Sequence, residues 1–282
     1  MLCFPNAKIN LGLHITEKRI DGFHNIETIF YPIAWKDALE VLENKEWKIL
    51  PTGQAGGASK CKLHCSGIEI AGASDDNLIN KAYTNLSAIK NLPPLNVYLH
   101  KAIPMGAGLG GGSADAAFFI QTVNTQFNLA LSEEEILQEA AKLGSDCAFF
   151  IKNTPTYAYE KGNKFKDVKI DLSSYSIITI FPNIHSNTKL AYSRVTPKKA
   201  NINLIDFLSS NKPENWKGVL ENDFEESVFY HFPEIKKLKE QLYNQGALYA
   251  SLSGSGSSVF GIFKKNELPE MKKKSNYLIN IT

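Results

Sequence analysis

The sequence predicts a mixed helix-and-strand protein in two domains, and three features of its 282 residues predict it. Ala7 to Ile15 alternates strictly, with Ile9, Leu11, Leu13 and Ile15 on one side and Lys8, Asn10, Gly12 and His14 on the other, the period of a strand. The run from Pro104 to Ala117 sets five glycines between an alternating apolar segment and an alanine-rich, helix-forming one. Around Asn153–Pro155 the long helical patterns give way to short strands and helices. A boundary near residue 155 follows, giving domains 1–155 and 156–282, each long enough for its own core.

The elements follow in order. The first strand presents Lys8 and Asn10 side by side on its polar row. Arg19-Ile20-Asp21-Gly22-Phe23-His24 reads as a turn, and Ile26 to Trp35 as a second strand. Thr52–Ser59, rich in Gly and Ser, reads as a surface loop, with a strand at Lys62–Cys65 after it. Asp76 starts a helix to Ile89, with Leu78, Ala82 and Leu86 on one stripe. Asn96 to Ile103 is a strand, and Ser113 to Phe127 a helix. Ser132 and Glu135 make a capping box for a helix that runs to Leu143 and stops at Gly144. Phe149-Phe150-Ile151 is a buried segment. Beyond residue 155 the pattern gives a strand at Ser176–Phe181 and helices near Asn187–Arg194, Ile202–Ser210 and Pro233–Asn244. Strands at Leu248–Leu252 and Val259–Lys264 are joined by the turn Ser253-Gly254-Ser255-Gly256-Ser257-Ser258.

Composition narrows the class of function. Thirty-one basic side chains stand against 29 acidic ones, so nothing points to nucleic acid or an anionic membrane surface as a partner. Short basic runs occur at Lys198-Lys199, Lys236-Lys237 with Lys239, and Lys272–Lys274, and the Lys236 run, in the helix-like Pro233–Asn244, reads as a solvated helix face. Cys3, Cys61, Cys65 and Cys147 form no Cys-x-x-Cys pair and have no histidine at zinc spacing, which points to free thiols in a reducing, cytoplasmic setting. No apolar run approaches a membrane span, and the N-terminus has no signal-peptide pattern.

The glycine run carries the chemistry. Each glycine costs about 0.5–1 kcal/mol relative to alanine in ordered structure, and a strand–Gly loop–helix offsets that by letting backbone approach an anion at a helix start. A phosphate cradle is therefore expected. The loop is not a P-loop, because Gly112 is followed by Ser113 and Ala114 rather than Lys-Ser or Lys-Thr. Gly106, Gly108 and Gly111 do fit the dinucleotide spacing G-x-G-x-x-G. The acidic residues about 20 positions on, Glu133 to Glu135, belong to a helix start instead of a strand end. A dinucleotide site and a turn without ligand remain open from these residues alone.

Three elements in order, Lys8-x-Asn10, Pro104 to Ala114, and Gly254-x-Gly256-Ser257, resemble the GHMP superfamily of small-molecule kinases. Its middle motif, Pro-x-x-x-Gly-Leu-Gly, is reproduced by Pro104 to Gly110. A closer resemblance rests on Ala7-Lys8-Ile9-Asn10-Leu11, Asp21-Gly22-Phe23-His24, Gly108-Leu109-Gly110-Gly111-Gly112-Ser113, Leu143-Gly144-Ser145-Asp146 and Asn222-Asp223-Phe224-Glu225. These segments are similar to the branch of the superfamily that phosphorylates the 2-hydroxyl of 4-diphosphocytidyl-2-C-methyl-D-erythritol, in the methylerythritol phosphate route to isoprenoids. The resemblance implies an α+β, two-domain GHMP kinase fold. Its N-terminal domain would be like ribosomal protein S5 domain 2 and its C-terminal domain ferredoxin-like.

The resemblance also implies roles. Pro104, Met105, Gly106, Ala107, Gly108, Leu109, Gly110, Gly111, Gly112, Ser113 and Ala114 would bind ATP. Mg²⁺ would accompany it without an assigned protein ligand, since Gly111 and Gly112 stand where many relatives carry serine. Asp146 would be the catalytic base and Lys8 the catalytic lysine, while Asn10, Phe23 and His24 would bind the cytidine-bearing alcohol. Thr188 and Tyr192 fall in a second substrate-side segment. Phe23 replaces a common tyrosine, and Cys147-Ala148 a common valine-proline. The expected partner is a small molecule, with the chain a monomer or weak homodimer. Other GHMP kinases, of homoserine or mevalonate type, and a non-catalytic nucleotide-binding relative are the competing readings.

Overall fold

The computed structural model describes residues 1–46, 60–70, 76–270 and 277–282. The loop expected at Thr52–Ser59 and the basic run Lys272–Lys274 lie outside them. The chain forms two compact units, and both are discontinuous in sequence.

The first unit holds Met1–Asn6, Lys36–Ile103 and Gly111–Lys152. Its sheet contains β1 (Leu2–Cys3), β4 (Ala38–Glu43), β5 (Cys61–Gly67) and β6 (Leu95–Lys101), in the order β1-β4-β6-β5. β5 runs parallel to β6, with Cys61 opposite Leu95, and α1 (Leu78–Ile89) lies between them in sequence. A parallel pair requires such a crossover. Asn77 caps α1 by accepting from the Ile79 amide, and the helix buries Ile79, Ala82, Tyr83 and Leu86. α2 (Gly111–Gln126) is buried nearly all round, through Ala114, Ala116, Ala117, Phe119, Ile120 and Val123. That makes it the central helix of the unit. The Ser132–Glu135 capping box forms as expected at the head of α3 (Glu133–Leu143).

Two boundaries in this unit correct the sequence reading. α2 starts at Gly111 rather than Ser113, and its first residue is glycine because a side chain there would strike Ile103, its Cβ falling 2.8 Å from Ile103 Cγ2. Phe149-Phe150-Ile151, read only as a buried segment, belongs to a helix, α4 (Ser145–Lys152). Its buried residues Cys147, Ala148, Phe149, Phe150 and Ile151 are consecutive, so no amphipathic period marks it.

The second unit holds Ala7–Trp35, Pro104–Gly110 and Asn153–Thr282. One sheet orders β2 (Asn6–Lys18), β3 (His24–Lys36), β7 (Thr156–Tyr159) and β8 (Lys164–Asp167) in sequence order. The other is antiparallel, β10 (Tyr249–Leu252), β11 (Val259–Lys264), β9 (Tyr175–Phe181) and β12 (Leu278–Ile281). Short helices α5 (Thr188–Tyr192), α6 (Leu204–Ser210) and α7 (Phe224–His231) precede α8 (Pro233–Asn244). Ile235, Leu238 and Leu242 of α8 pack with Ile178, Ile180, Val228, Val259 and Phe263, and with Leu13 and Ile15 of β2.

The first ten residues of β2 are all buried, so the polar row Lys8, Asn10, Gly12 and His14 is enclosed rather than open to solvent. β3 lies on one side. On the other, Leu13 pairs with Asn222: its N–H donates to Glu221 and its carbonyl accepts from Asp223.

Candidate active site

In the second unit β2 and β3 fix Lys8 and Asn10. The Lys8 ammonium donates to Asn10 Oδ1 at 2.7 Å and lies 4.9 Å from the centre of the Phe30 ring. Asn10 Nδ2 donates to Thr28 Oγ1 at 2.9 Å, and the Thr28 hydroxyl donates to the Gly12 carbonyl at 2.5 Å. Thr28 has one proton and gives it to Gly12, so its oxygen must accept from Asn10. The Asn10 amide therefore has one orientation, oxygen toward the ammonium. Lys8 is 3 % exposed and Asn10 1 %, which makes this a fixed, enclosed cation.

The glycine loop is anchored beside it. The Lys8 amide donates to the Leu109 carbonyl at 2.9 Å. Ala107 and Leu109 are buried, whereas Gly106, Gly108 and Gly110 leave backbone accessible. All three of those glycines have positive φ. The turn after β10 closes on the same loop: Ser253 Oγ donates to the Gly108 carbonyl at 2.9 Å and the Ser258 amide to the Ala107 carbonyl at 3.1 Å. A Cβ at Gly254 would lie 3.3 Å from Asn10 Oδ1 and 3.5 Å from Lys8 Nζ. The loop, the late Gly/Ser turn, Lys8 and Asn10 are thus brought together, as the order of the motifs implied.

What holds that late turn was missed in the sequence. Asn222 Nδ2 donates to the carbonyls of Leu252 and Gly254, at 2.9 and 3.0 Å. Glu225 accepts from Ser251 Oγ, from the Leu252 amide and from Lys239. Asp223 accepts from the Ile15 amide at 2.7 Å, tying β2 to the same segment. The Asn222-Asp223-Phe224-Glu225 motif is therefore a brace for the turn and the strand, and its run of polar residues was the available signal.

His24 stacks on Tyr192, ring centres 4.5 Å apart, and Tyr192 meets Phe224 edge-on. Burial, with the charge of Lys18 nearby, lowers the His24 pKa, so the ring is neutral at physiological pH. Phe23 is 60 % exposed at the tip of a turn closed by the Arg19–Phe23 backbone bond and the Arg19–Asp21 ion pair. His24 and Tyr192 are brought together; Phe23 stands out from them.

In the first unit, Gly111, Gly112, Ser113 and Ala114 are the opening turn of α2, with their amides at its N-terminus. Asp146 sits in the opening turn of α4, which packs on α2. Ser113 hydrogen-bonds the Cys147 thiol, and burial pushes that thiol up to about 11. Beneath α2 the Lys101 ammonium pairs with Asp37 and with Asp115, all three enclosed. No sequence signal was read there.

Burial pushes the Asp115 carboxyl up to about 7 against the pull of Lys101, with Asp37 adding to the rise. Between its ordinary value of 3.8 and about 7 the folded protein holds a proton that the unfolded chain has released. Stability present on the acid side is therefore lost as pH rises through that range. In urea titrations from about pH 5 to about pH 8, the wild type is expected to lose stability that Asp115→Asn keeps. Parallel pH dependence in the two proteins would refute the assignment.

Residues 77–153 match the model of the GHMP kinases N terminal domain, and residues 204–274 that of GHMP kinases C terminal. The 4-diphosphocytidyl-2-C-methyl-D-erythritol kinase of Bacteroides fragilis is 48 % identical over 95 % of this chain and 93 % of its own length. The chain belongs to the 4-diphosphocytidyl-2-C-methyl-D-erythritol kinase family. The family's protein from Cytophaga hutchinsonii is 49 % identical over 96 % of this chain and 94 % of its own. A crystal structure of a 4-(cytidine 5'-diphospho)-2C-methyl-D-erythritol kinase superposes with a TM-score of 0.75. It is 26 % identical, over 93 % of this chain and 90 % of that one. The expected α+β GHMP kinase fold is thereby borne out.

Proposed function

We infer that this chain is an ATP-dependent kinase that phosphorylates the 2-hydroxyl of 4-diphosphocytidyl-2-C-methyl-D-erythritol, giving the 2-phosphate and ADP in isoprenoid biosynthesis. The observation that carries this reading is the near-full-length likeness to kinases named for that alcohol. The homoserine-type, mevalonate-type and non-catalytic readings have no comparable support.

Phosphoryl transfer needs positioning and charge stabilisation more than covalent chemistry from the protein. Amides of the segment 105–114, ending at the α2 N-terminus, hold the ATP phosphates. Asp146 takes the hydroxyl proton as the alcohol attacks. Lys8, aimed by Asn10, stabilises negative charge that develops during the transfer. Asn10, Phe23 and His24 receive the cytidine-bearing end, where aromatic rings suit a pyrimidine. Mg²⁺ would arrive with the nucleotide and neutralise charge across its phosphate oxygens. Among the described residues no cluster of three or more His, Cys, Asp or Glu forms a metal site.

The functional division is proposed near residue 155, a cut supported by the separate N-terminal and C-terminal family matches. Among the described residues no helix is long and apolar enough to cross a membrane, and all four cysteines are free thiols. The free thiols suit the proposed cytoplasmic setting.

The test is direct. The protein with ATP, Mg²⁺ and the diphosphocytidyl alcohol should form ADP and the 2-phosphate, and should form neither product with homoserine or mevalonate. No ADP from folded protein, or preference for another alcohol, would overturn the reading. Tight ATP binding without turnover would instead support a nucleotide-binding module.

A further inference from the structure

Lys101 is the last residue of β6, at a position where the strand's alternation otherwise buries Leu95, Val97 and Leu99. A lysine there is enclosed completely, as is Asp37, the single residue between β3 and β4. Asp37 Oδ1 accepts from the amides of Ala102 at 2.6 Å and Ile103 at 2.8 Å, the two residues that lead into the glycine loop. Its other oxygen takes the Lys101 ammonium. The same ammonium donates to Asp115 Oδ2 at 2.8 Å, one turn into α2. It also lies 3.2 Å from where a Gly111 Cβ would stand, against the first residue of that helix. One cation and one carboxylate therefore grip the strand end before Pro104 and the helix start after Gly110.

We propose that Asp37, Lys101 and Asp115 form a positioning network that sets both stems of the phosphate-binding loop, and so governs ATP affinity. This rests on the reading of the glycine loop as the nucleotide site. Buried ion pairs contribute little net stability, and an apolar trio of the same volume would serve packing as well. What the charges add is geometry. A carboxylate can accept two amides and an ammonium at once, fixing the direction of each. Amides that bind phosphate lose strength steeply with distance and angle, so the set of the stems matters more than their stability. The proximity of Gly111 to Lys101 also explains why α2 begins with glycine at that point.

Asp37→Asn keeps the shape and removes the charge. Its Michaelis constant for ATP should rise about tenfold or more, the scale of one charge-assisted hydrogen bond, while that for the alcohol stays within about threefold. A folded Asp37→Asn with unchanged ATP constant, or with both constants shifted alike, overturns the proposal. If that variant does not fold, Asp115→Asn decides: its ATP constant alone should rise, by about threefold or more. Should neither fold, the network is a stability device and the proposal falls. Gly108→Ala in the loop separates the two readings. If it leaves ATP binding intact, the nucleotide reading fails; if it abolishes binding while Asp37→Asn changes nothing, only the positioning network fails.

Discussion

Asp146→Ala is expected to lower turnover by about 10²-fold or more, with the dissociation constant for ATP within about threefold of wild type. The alcohol attacks phosphorus well only if its proton leaves as the bond forms, and the substitution removes the proposed proton acceptor. Helix α4 should survive it. Cys147, Ala148, Phe149 and Phe150 anchor that helix in the core, whereas Asp146 is only half-buried at its first turn. Nucleotide affinity is expected to persist because the amides proposed to bind phosphate belong to the loop and to α2. Asp146→Asn makes the comparison stricter, since the amide keeps the shape and cannot take the proton. Single-turnover rates measured with saturating ATP and alcohol isolate the chemical step from product release. A near-wild-type rate in either variant would remove Asp146 from the base role.

Much of this arrangement was legible in the sequence for physical reasons. Strict alternation identified β2, and glycine spacing identified the loop. Ser132 and Glu135 placed a helix start correctly, because capping depends on chemistry within four residues. The short elements β4, β7 and β12 and helix α7 were not read; brief segments offer too little period to distinguish from loops. Helix α4 hid because burial on every side erases amphipathicity. That the polar row of β2 is enclosed could not be read, since alternation shows which residues share a side but not what covers that side. The Asp37–Lys101–Asp115 network was invisible for a related reason: its members are 64 and 14 residues apart, and each alone reads as a surface charge. Asn222 and Glu225 were seen as a motif, but their role as a brace needed the turn at Gly254 to be in place.

The interlocked turns give the second large effect. Gly108 has φ +82°, and a Cβ built there would lie 1.9 Å from the Ser253 carbonyl oxygen. A Cβ at Gly256 would lie 2.1 Å from the Gly108 amide nitrogen. In each case the obstacle is backbone, which no rotamer change can relieve, so the two turns must move apart. Gly108→Ala and Gly256→Ala are each expected to abolish measurable ATP binding, a loss of about 10²-fold or more, because loop amides must converge on phosphate to sub-ångström tolerance. Each is also expected to cost about 1–3 kcal/mol of stability, from strain and overpacking together. Gly246→Ala supplies the control. Its φ is +96°, yet nothing lies within 4 Å of the added carbon, so it carries backbone strain of about 1 kcal/mol without the clash. Its ATP affinity should match wild type even as its urea midpoint falls. If Gly246→Ala lost ATP binding as fully as Gly108→Ala, general destabilisation would explain both, and the tight seating of the two turns would not be what shapes the phosphate site.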